Sequence, residues 1–405
     1  MLIILTTHPI QYQVPLWQAL ARDGRVPFEV WYLSDHATRM SHDKEFGTNF
    51  AWDLDMLSGY PHQFLKTPAD VTPASFWKCR LDERLRDRLR ASGASALWIQ
   101  GWQVAGYWQA VREAKAAGVK VWLRGESNDL APPPAPWKRI VKRVLLGWFF
   151  SRVDKFLCIG RANRRLYESH RIGDERLLSA PYCVDNDRFQ TQAESVRGQR
   201  LEIRKRWGIA DDAFCVLFCG KFIAKKRPMD VVKAATLLMT DKRLPNVHLL
   251  FTGSGELGGE LRANCRVIFD AENPKSEIRN PKSDLPPASF VGFLNQTQIS
   301  EAYVAADCLV LPSDPGETWG LVVNEAMASG LPCVISDRCG SAEDLGARSP
   351  NQVFPMGDIT TLADRIHKLA QTRPDRASIP ALLDDFSFQR SVQSVAEAYG
   401  ALAQT

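Results

Sequence analysis

Short apolar runs alternate with stretches of helical period along the whole chain. In the first half, Leu2 to Leu5, Phe28 to Leu33, Ala96 to Ile99, Lys120 to Leu123 and Lys155 to Ile159 predict buried strands. The second half repeats the rhythm with Phe214 to Cys219, His248 to Thr252, Ser289 to Val291, Cys308 to Leu311 and Pro332 to Ser336. Between these runs, stretches such as Pro228 to Met239 have the apolar spacing of helices. The pattern is β-α alternation twice over, the mark of an α/β chain with parallel sheets.

At 405 residues the chain is too long for one ordinary core and suits two domains. Gln190 to Gln199 is polar and poor in large apolar residues; the basic helical stretch Arg200 to Trp207 and a turn at Gly208 follow it. A hinge is expected there, giving domains over 1–190 and 191–385, with 386–405 a C-terminal helix packing back toward the first. A second polar segment, Asn264 to Pro287, holds a near-repeat of Asn-Pro-Lys-Ser beginning at Asn273 and again at Asn280, and predicts a surface loop.

Composition narrows the function. An apolar fraction of 45% with 24% charged residues excludes wholesale disorder and a coiled-coil rod. The net charge of +5 is too dilute to argue for nucleic acid but leaves room for a local anionic ligand. Nine cysteines without a CxxC pair, several inside apolar runs, suit a reduced cytoplasmic compartment. The start lacks the pattern of a signal peptide. The longest apolar stretch, Val144 to Phe150, is far shorter than the roughly 20 residues of a spanning helix.

The most informative segment runs from Ala306 to Gly330 and predicts a buried strand, a turn and a helix stopped by Gly330. Glu317 stands ahead of the first helical turn and Glu325 about two turns inside. Backbone N–H groups around Gly320 and Leu321 would form an anion site suited to a phosphate, and Gly320 lets an anion approach closely. A carboxylate ahead of that site could accept from sugar hydroxyls, and one further along could hold a ribose. The spacing suits a sugar nucleotide.

Glu317 and Glu325 stand in the E-x7-E arrangement of family 4 glycosyltransferases, which the sequence resembles over nearly its whole length. Pro181-Tyr182-Cys183-Val184-Asp185 is similar to the family's "PNGVD" element, and Gly220-Lys221 with Lys226 to its "GR…K" phosphate loop. Thr252-Gly253-Ser254-Gly255 is similar to its "GxG" turn, and Val291-Gly292-Phe293 to the loop whose backbone meets the nucleobase. The resemblance implies the GT-B fold, two Rossmann-like parallel-sheet domains facing each other across a cleft. It implies that Lys221 and Lys226 bind the donor diphosphate, that Glu317 holds the donor sugar and that these three carry catalysis. Gly220, Gly253, Gly292, Phe293, Gly320, Leu321 and Glu325 would complete the donor site. Lys221 departs from the usual Arg, and an ammonium lacks the bidentate fork of a guanidinium. The reaction implied is retaining transfer of a sugar from a nucleoside diphosphate to an acceptor hydroxyl, in polysaccharide or glycolipid assembly. Neither metal nor cofactor is implied beyond the nucleotide-sugar co-substrate. A sugar-nucleotide epimerase or an inactive sugar-nucleotide-binding protein on the same fold are the alternatives, and a phosphorylase lacks a recognisable further phosphate site. A dinucleotide dehydrogenase lacks its G-x-G-x-x-G after the first strand.

The first domain would hold the acceptor, a sugar or lipid-linked sugar. His8, Gln11 and Gln13 occupy its first strand-to-helix loop, where the family often has a glycine-rich turn and this chain has none. Arg124 and Glu126 follow another strand, where many relatives carry a His; they suit either a ligand or a pairing with each other. Trp102 suits stacking on a sugar ring or the core. Trp137 to Phe150 joins a basic to an apolar face. Packing of that apolar face on the sheet is the plainer reading, peripheral contact with an anionic membrane the other.

Overall fold

The computed structural model describes residues 1–36, 41–43, 48–50, 55–73, 75–273 and 284–402. Met1–Ser41 and Leu54–Cys183, with the segment from Phe386, form one compact unit; Val184–Asp385 is the body of the other. The near-repeat of the second polar segment lies largely outside the described residues.

The first unit is built on the parallel strands β1 (Leu2–Thr6) and β2 (Phe28–Tyr32). A separate pair, β3 (Ser41–Asp43) and β4 (Thr48–Phe50), lies outside this sheet. The sheet continues with β5 (His62–Phe64), β6 (Ala96–Ile99), β7 (Lys120–Leu123), β8 (Lys155–Cys158) and β9 (Leu177–Ser179), in the order β5-β2-β1-β6-β7-β8-β9. Leu2, Ile3, Ile4 and Leu5 are all fully buried, as expected of a strand covered on both faces. The crossovers are α1 (Val14–Asp23), α2 (Leu85–Ala91), α3 (Ala105–Ala117), α4 (Pro136–Phe150) and α5 (Arg161–Ser169).

The second unit opens with α6 (Asn186–Arg197) and α7 (Arg200–Arg206). This corrects the hinge expected over Gln190 to Gln199. Asp185 caps α6 by accepting from the Arg188 N–H at 3.1 Å, and Phe189 and Ala193 bury its inner face against α10, below. Two inward residues per three turns suffice to dock a helix whose remaining positions are polar. The unit boundary falls at Cys183 and Val184, within the Pro181 to Phe189 element.

The second sheet comprises β10 (Phe214–Cys219), β11 (Val247–Thr252), β12 (Arg266–Asp270), β13 (Pro287–Phe290), β14 (Cys308–Leu311), β15 (Cys333–Ser336) and β16 (Gln352–Phe354). Its order is β12-β13-β11-β10-β14-β15-β16, again all parallel. β12 lies inside the segment expected to be a loop. α8 (Pro228–Thr240), α9 (Gly258–Ala263), α10 (Ser300–Ala305), α11 (Val322–Ala328) and α12 (Ile359–Thr372) complete the unit. The last helix, α13 (Phe388–Leu402), belongs to the first unit and packs on α1.

The strand order reverses between β1 and β6 in the first sheet and between β10 and β14 in the second, where β12 also lies outside β13 at the edge. Loops leaving the carboxyl ends of strands on either side of such a reversal diverge to opposite faces and leave a crevice, where doubly wound sheets bind ligands.

Candidate functional site

In the second unit the loops around that reversal are locked together by backbone. Gly253 has φ +120°, and a Cβ on it would stand 2.1 Å from the carbonyl oxygen of Gly220. Its N–H donates to the Gly292 carbonyl at 2.8 Å, which also accepts from the Thr252 hydroxyl at 3.0 Å. Gly220, Gly253 and Gly292 therefore form one continuous wall of main chain at the ends of β10, β11 and β13. Lys221 and Phe293, each half-buried, follow two of these glycines.

Past Lys221 the chain makes a 3-10 turn over Ala224–Lys226, and the Lys225 carbonyl accepts from the Asp314 N–H at 2.8 Å. That bond ties the loop after β10 to the loop after β14. It sets the Lys226 ammonium against the Glu317 carboxylate in an ion pair whose side chains are 19% and 15% exposed. The Ser313 hydroxyl donates to the same Glu317 oxygen at 3.3 Å. Glu317 is held through its main chain as well: its N–H donates to the Asp314 carbonyl at 3.0 Å and its carbonyl accepts from the Gly340 N–H at 3.2 Å. Gly340 cannot be replaced there without movement, since a Cβ would lie 1.8 Å from the Thr318 carbonyl.

Gly320 has φ +94°, with Leu321 at the N-cap of α11. The helix begins at Val322, so Glu325 lies in its first turn rather than two turns inside. Glu325 is buried, and one of its oxygens accepts from the Tyr303 hydroxyl at 2.5 Å. Beside it the Cys219 thiol is pushed up to about 12, chiefly by burial and then by the Glu325 charge. Gly330, at φ +77°, closes the helix as expected: its N–H donates to the Met327 carbonyl and that of Leu331 to the Ala326 carbonyl. Tyr303, Ser313 and Gly340 escaped the reading of the sequence. Gly340 follows the strand run Pro332 to Ser336, a signal of a strand-to-helix loop; Tyr303 carries none, being brought in from α10 by packing alone.

The first unit treats its candidates differently. Gln13 is buried at the start of α1, and the Thr6 hydroxyl donates to its side-chain oxygen at 3.1 Å, so it secures the loop. His8 accompanies the Thr7 hydroxyl at 2.9 Å and meets the His36 ring edge-on at 5.4 Å. Its pKa is lowered to about 4 by burial and then by His36. Gln11 is buried, and its side-chain oxygen has no partner among the described residues. Trp102 is half-buried and packs edge-on against Phe150 at 5.4 Å, at the margin of the core. Arg124 and Glu126 meet through Tyr182: the guanidinium lies 4.9 Å from the ring centroid, and the Tyr182 hydroxyl donates to Glu126 at 2.7 Å.

α4 overturns the expectation that its apolar face packs on the sheet. Only Leu146, Phe149 and Phe150 are buried. Trp137, Ile140 and Val144 are 63%, 63% and 65% exposed, with Val141, Leu145 and Trp148 also open. Among the described residues no helix is long and apolar enough to cross a membrane, and no group of three His, Cys, Asp or Glu could hold a metal ion.

Residues 199–380 match the family described as Glycosyl transferases group 1. The D-inositol 3-phosphate glycosyltransferase of Pseudarthrobacter chlorophenolicus is 34% identical over 196 residues, 44% of this chain and 43% of that protein. Its counterpart from Geodermatophilus obscurus is 30% identical over 251 residues, 60% and 51% of the two. The chain spans about half the length of the curated relatives it matches. Among solved structures, a glycosyltransferase from Rickettsia africae aligns with a TM-score of 0.69 at 12% identity, covering 100% of this chain and 99% of that one. HepE of Anabaena, in complex with UDP-glucose, aligns with a TM-score of 0.63 at 15% identity over 99% of both chains. At such identities the structures show the fold, that of GT-B glycosyltransferases with two Rossmann-like units.

Proposed function

We propose, from the premise that residues 199–380 are a domain of the glycosyl transferases group 1 family, that this protein transfers a sugar from a nucleoside diphosphate to an acceptor hydroxyl. The observation that carries the reading is the Lys226–Glu317 pair, held where the strand order of the second sheet reverses. The glycine wall at Gly220, Gly253 and Gly292 admits the nucleotide close to backbone. Lys226, with Lys221, takes the diphosphate, and the main chain at Gly320 and Leu321 adds donors to it. Glu317, freed of its ammonium partner, accepts from hydroxyls of the sugar, and Glu325 serves the ribose.

Departure of the diphosphate is the difficult step, and ammonium groups fixed beforehand stabilise the charge that develops on it. Transfer then proceeds with retention, the leaving phosphate taking the acceptor proton as the hydroxyl attacks from the same face. This asks for no metal and no separate general base. HepE, which has the same fold, holds UDP-glucose in its solved complex, which supports a uridine nucleotide as the first donor to try.

The acceptor is assigned to the first unit, and a polysaccharide or glycolipid acceptor suits the exposed apolar stripe of α4. Lys138, Arg139, Lys142 and Arg143 accompany that stripe, with no acidic residue between Asp129 and Asp154. A helix of this composition suits an anionic bilayer with its apolar side inserted, which supports peripheral association with the cytoplasmic face of a membrane.

Titration calorimetry with uridine, guanosine and adenosine diphosphates, followed by a turnover assay with the corresponding sugars, tests the reading. Lys226→Ala should weaken diphosphate binding by roughly 10- to 100-fold. Glu317→Ala should remove transfer by about 100-fold or more while the chain stays folded. Full turnover in Glu317→Ala with the true donor would refute the assignment. Donor turned over without any acceptor would point to the epimerase instead.

A further inference from the structure

Arg124 is a buried cation that the proposed chemistry leaves unused. It is 4% exposed, yet its Nε finds no acceptor among the described residues, and no carboxylate there pairs with its guanidinium. Its packing partner is the face of Tyr182, while Glu126 accepts instead from the Tyr182 hydroxyl. Cation–π contact replaces only part of the hydration that a guanidinium loses, so a buried, unpaired Arg opposes folding.

A second orphan donor stands beside it. Gln100 directly follows β6 as Arg124 directly follows β7, and the Arg124 N–H donates to the Ile99 carbonyl at 3.0 Å, which makes these two strand ends neighbours. Gln100 is 8% exposed and its side-chain nitrogen has no acceptor among the described residues. Ile99 and Leu123 lie together in the core on one face of the sheet. Strand alternation therefore sends Gln100 and Arg124 both to the opposite face. Gln11, whose buried oxygen also lacks a partner, is in the loop after β1, across the strand-order reversal from Gln100. Unsatisfied buried donors collected at the carboxyl ends of parallel strands are the complement of a missing acceptor.

We infer that Arg124 and Gln100 form an oxyanion site in the first unit, and that the acceptor carries an acidic group, a carboxylate or a phosphate, which binds there. This rests on the glycosyltransferase reading for the word acceptor; the anion site itself stands on the first unit alone. A guanidinium presents paired N–H groups that match either oxyanion in bidentate fashion, where a neutral sugar hydroxyl would leave the charge uncompensated. Gln11 would then accept from a neighbouring hydroxyl and orient the ring.

The test uses the whole chain with uridine diphosphate present and compares three probes: methyl glucuronide, glucose 6-phosphate and methyl glucoside. The wild type should bind at least one acidic probe about ten- to a hundredfold more tightly than methyl glucoside, and the difference between the two acids identifies the oxyanion. Arg124→Met keeps the stem against Tyr182 and removes the charge. It should abolish the acid preference while its melting temperature equals or exceeds that of the wild type, because an uncompensated buried charge has been deleted. Arg124→Lys should retain part of the preference, having a charge without the fork. Equal affinity for acidic and neutral probes in the wild type overturns the inference, as does an acid preference that survives Arg124→Met. A lowered melting temperature for Arg124→Met, with probe binding unchanged, would make Arg124 a packing residue and also overturn it. If uridine, guanosine and adenosine diphosphates all fail to bind, the glycosyltransferase reading fails; if one binds and the acids show no preference, only the present inference does.

Discussion

Lys226 and Glu317 pair with each other, so each of these proposed site residues is also a structural partner. The two roles separate on substitution. In Glu317→Gln the ammonium loses its counter-charge in a place only 19% exposed, which should lower stability by about 1–2 kcal/mol, below the range for fully buried pairs because solvent still reaches both groups. The same change removes the competitor for Lys226, so a nucleoside diphosphate should bind more tightly to Glu317→Gln than to the wild type, while transfer is lost. Weaker diphosphate binding in that variant, read by calorimetry, would show that the pair does not open for the ligand. Histidines give a second residue-scale outcome. His8, lowered to about 4, and His248, lowered to about 3 by burial and then by Arg204 and Arg266, stay neutral in the folded chain. The unfolded chain protonates near pH 6.5, so below that pH it binds more protons and stability falls with falling pH down to the folded values. His8→Asn should flatten the loss between pH 6.5 and 4 and leave the part due to His248, which extends toward pH 3. Urea midpoints at pH 7, 5 and 4 check this; an unchanged slope would deny His8 its share. Both kinds of residue differ in legibility: Glu317 and Lys226 are announced by neighbouring glycines, but the burial that moves His8 and His248 depends on chain segments far away in sequence.

At the level of elements, the strands that sequence pattern identified are the inner ones. β1, β2, β6, β7 and β8 in the first sheet, and β10, β11, β13, β14 and β15 in the second, are wholly or mostly buried and read as apolar runs. Within these two sheets the four that escaped, β5, β9, β12 and β16, are the outermost strands. An edge strand has one neighbour: β5, β9 and β16 span three residues each, and β12, although five residues long, is bounded by Arg266 and Asp270 and only partly buried, so none carries the long apolar run of an inner strand. Helix α6 was missed for the related reason that two buried side chains leave its composition that of a linker. The glycine wall was legible as motif, but its reason is contact. Gly253→Ala would bring a Cβ against the Gly220 carbonyl in a backbone conformation that L residues rarely adopt, and should cost on the order of 2–4 kcal/mol with loss of diphosphate binding. Urea denaturation of that variant beside Gly259→Ala, where a Cβ meets nothing within 4 Å, isolates the effect; equal midpoints would remove the steric argument. α4 supplies the other element-scale outcome. Flotation with phosphatidylglycerol vesicles should recover the wild type and lose Ile140→Glu/Val144→Glu, while neutral phosphatidylcholine vesicles recover neither. Equal recovery of both proteins on anionic vesicles would leave the stripe without the assigned role.

On the scale of the whole molecule, each sheet has a reversal of strand order beside its first strand, β1 or β10, and the first sheet's unit is finished by residues that arrive last in the chain. α13 buries Phe388, Val392, Val395 and Ala398, and its Ser391 hydroxyl donates to the Pro181 carbonyl at 3.1 Å. Arg25, beyond the end of α1, donates to Gln393 at 2.8 Å. Four apolar side chains on one helix contribute burial of order 5 kcal/mol or more, comparable with the whole stability of an ordinary domain. The outcome of ending the chain after Asp385 follows. A chain whose domains were contiguous in sequence would lose an ornament; here the first unit should become marginal or unfold, although every residue of its sheet is still present. Trp17, Trp31, Trp98 and Trp122 are fully buried in that unit, so their fluorescence should shift to longer wavelength in the shortened chain. The second unit keeps its core over Phe214 to Leu369, and with it the glycine wall and the Lys226–Glu317 pair, so calorimetry should still find the diphosphate bound. Retained blue fluorescence in the shortened chain would mean that α1 and β9 close the first core without α13. Loss of diphosphate binding together with the fluorescence shift would mean that the second unit draws its stability from the first.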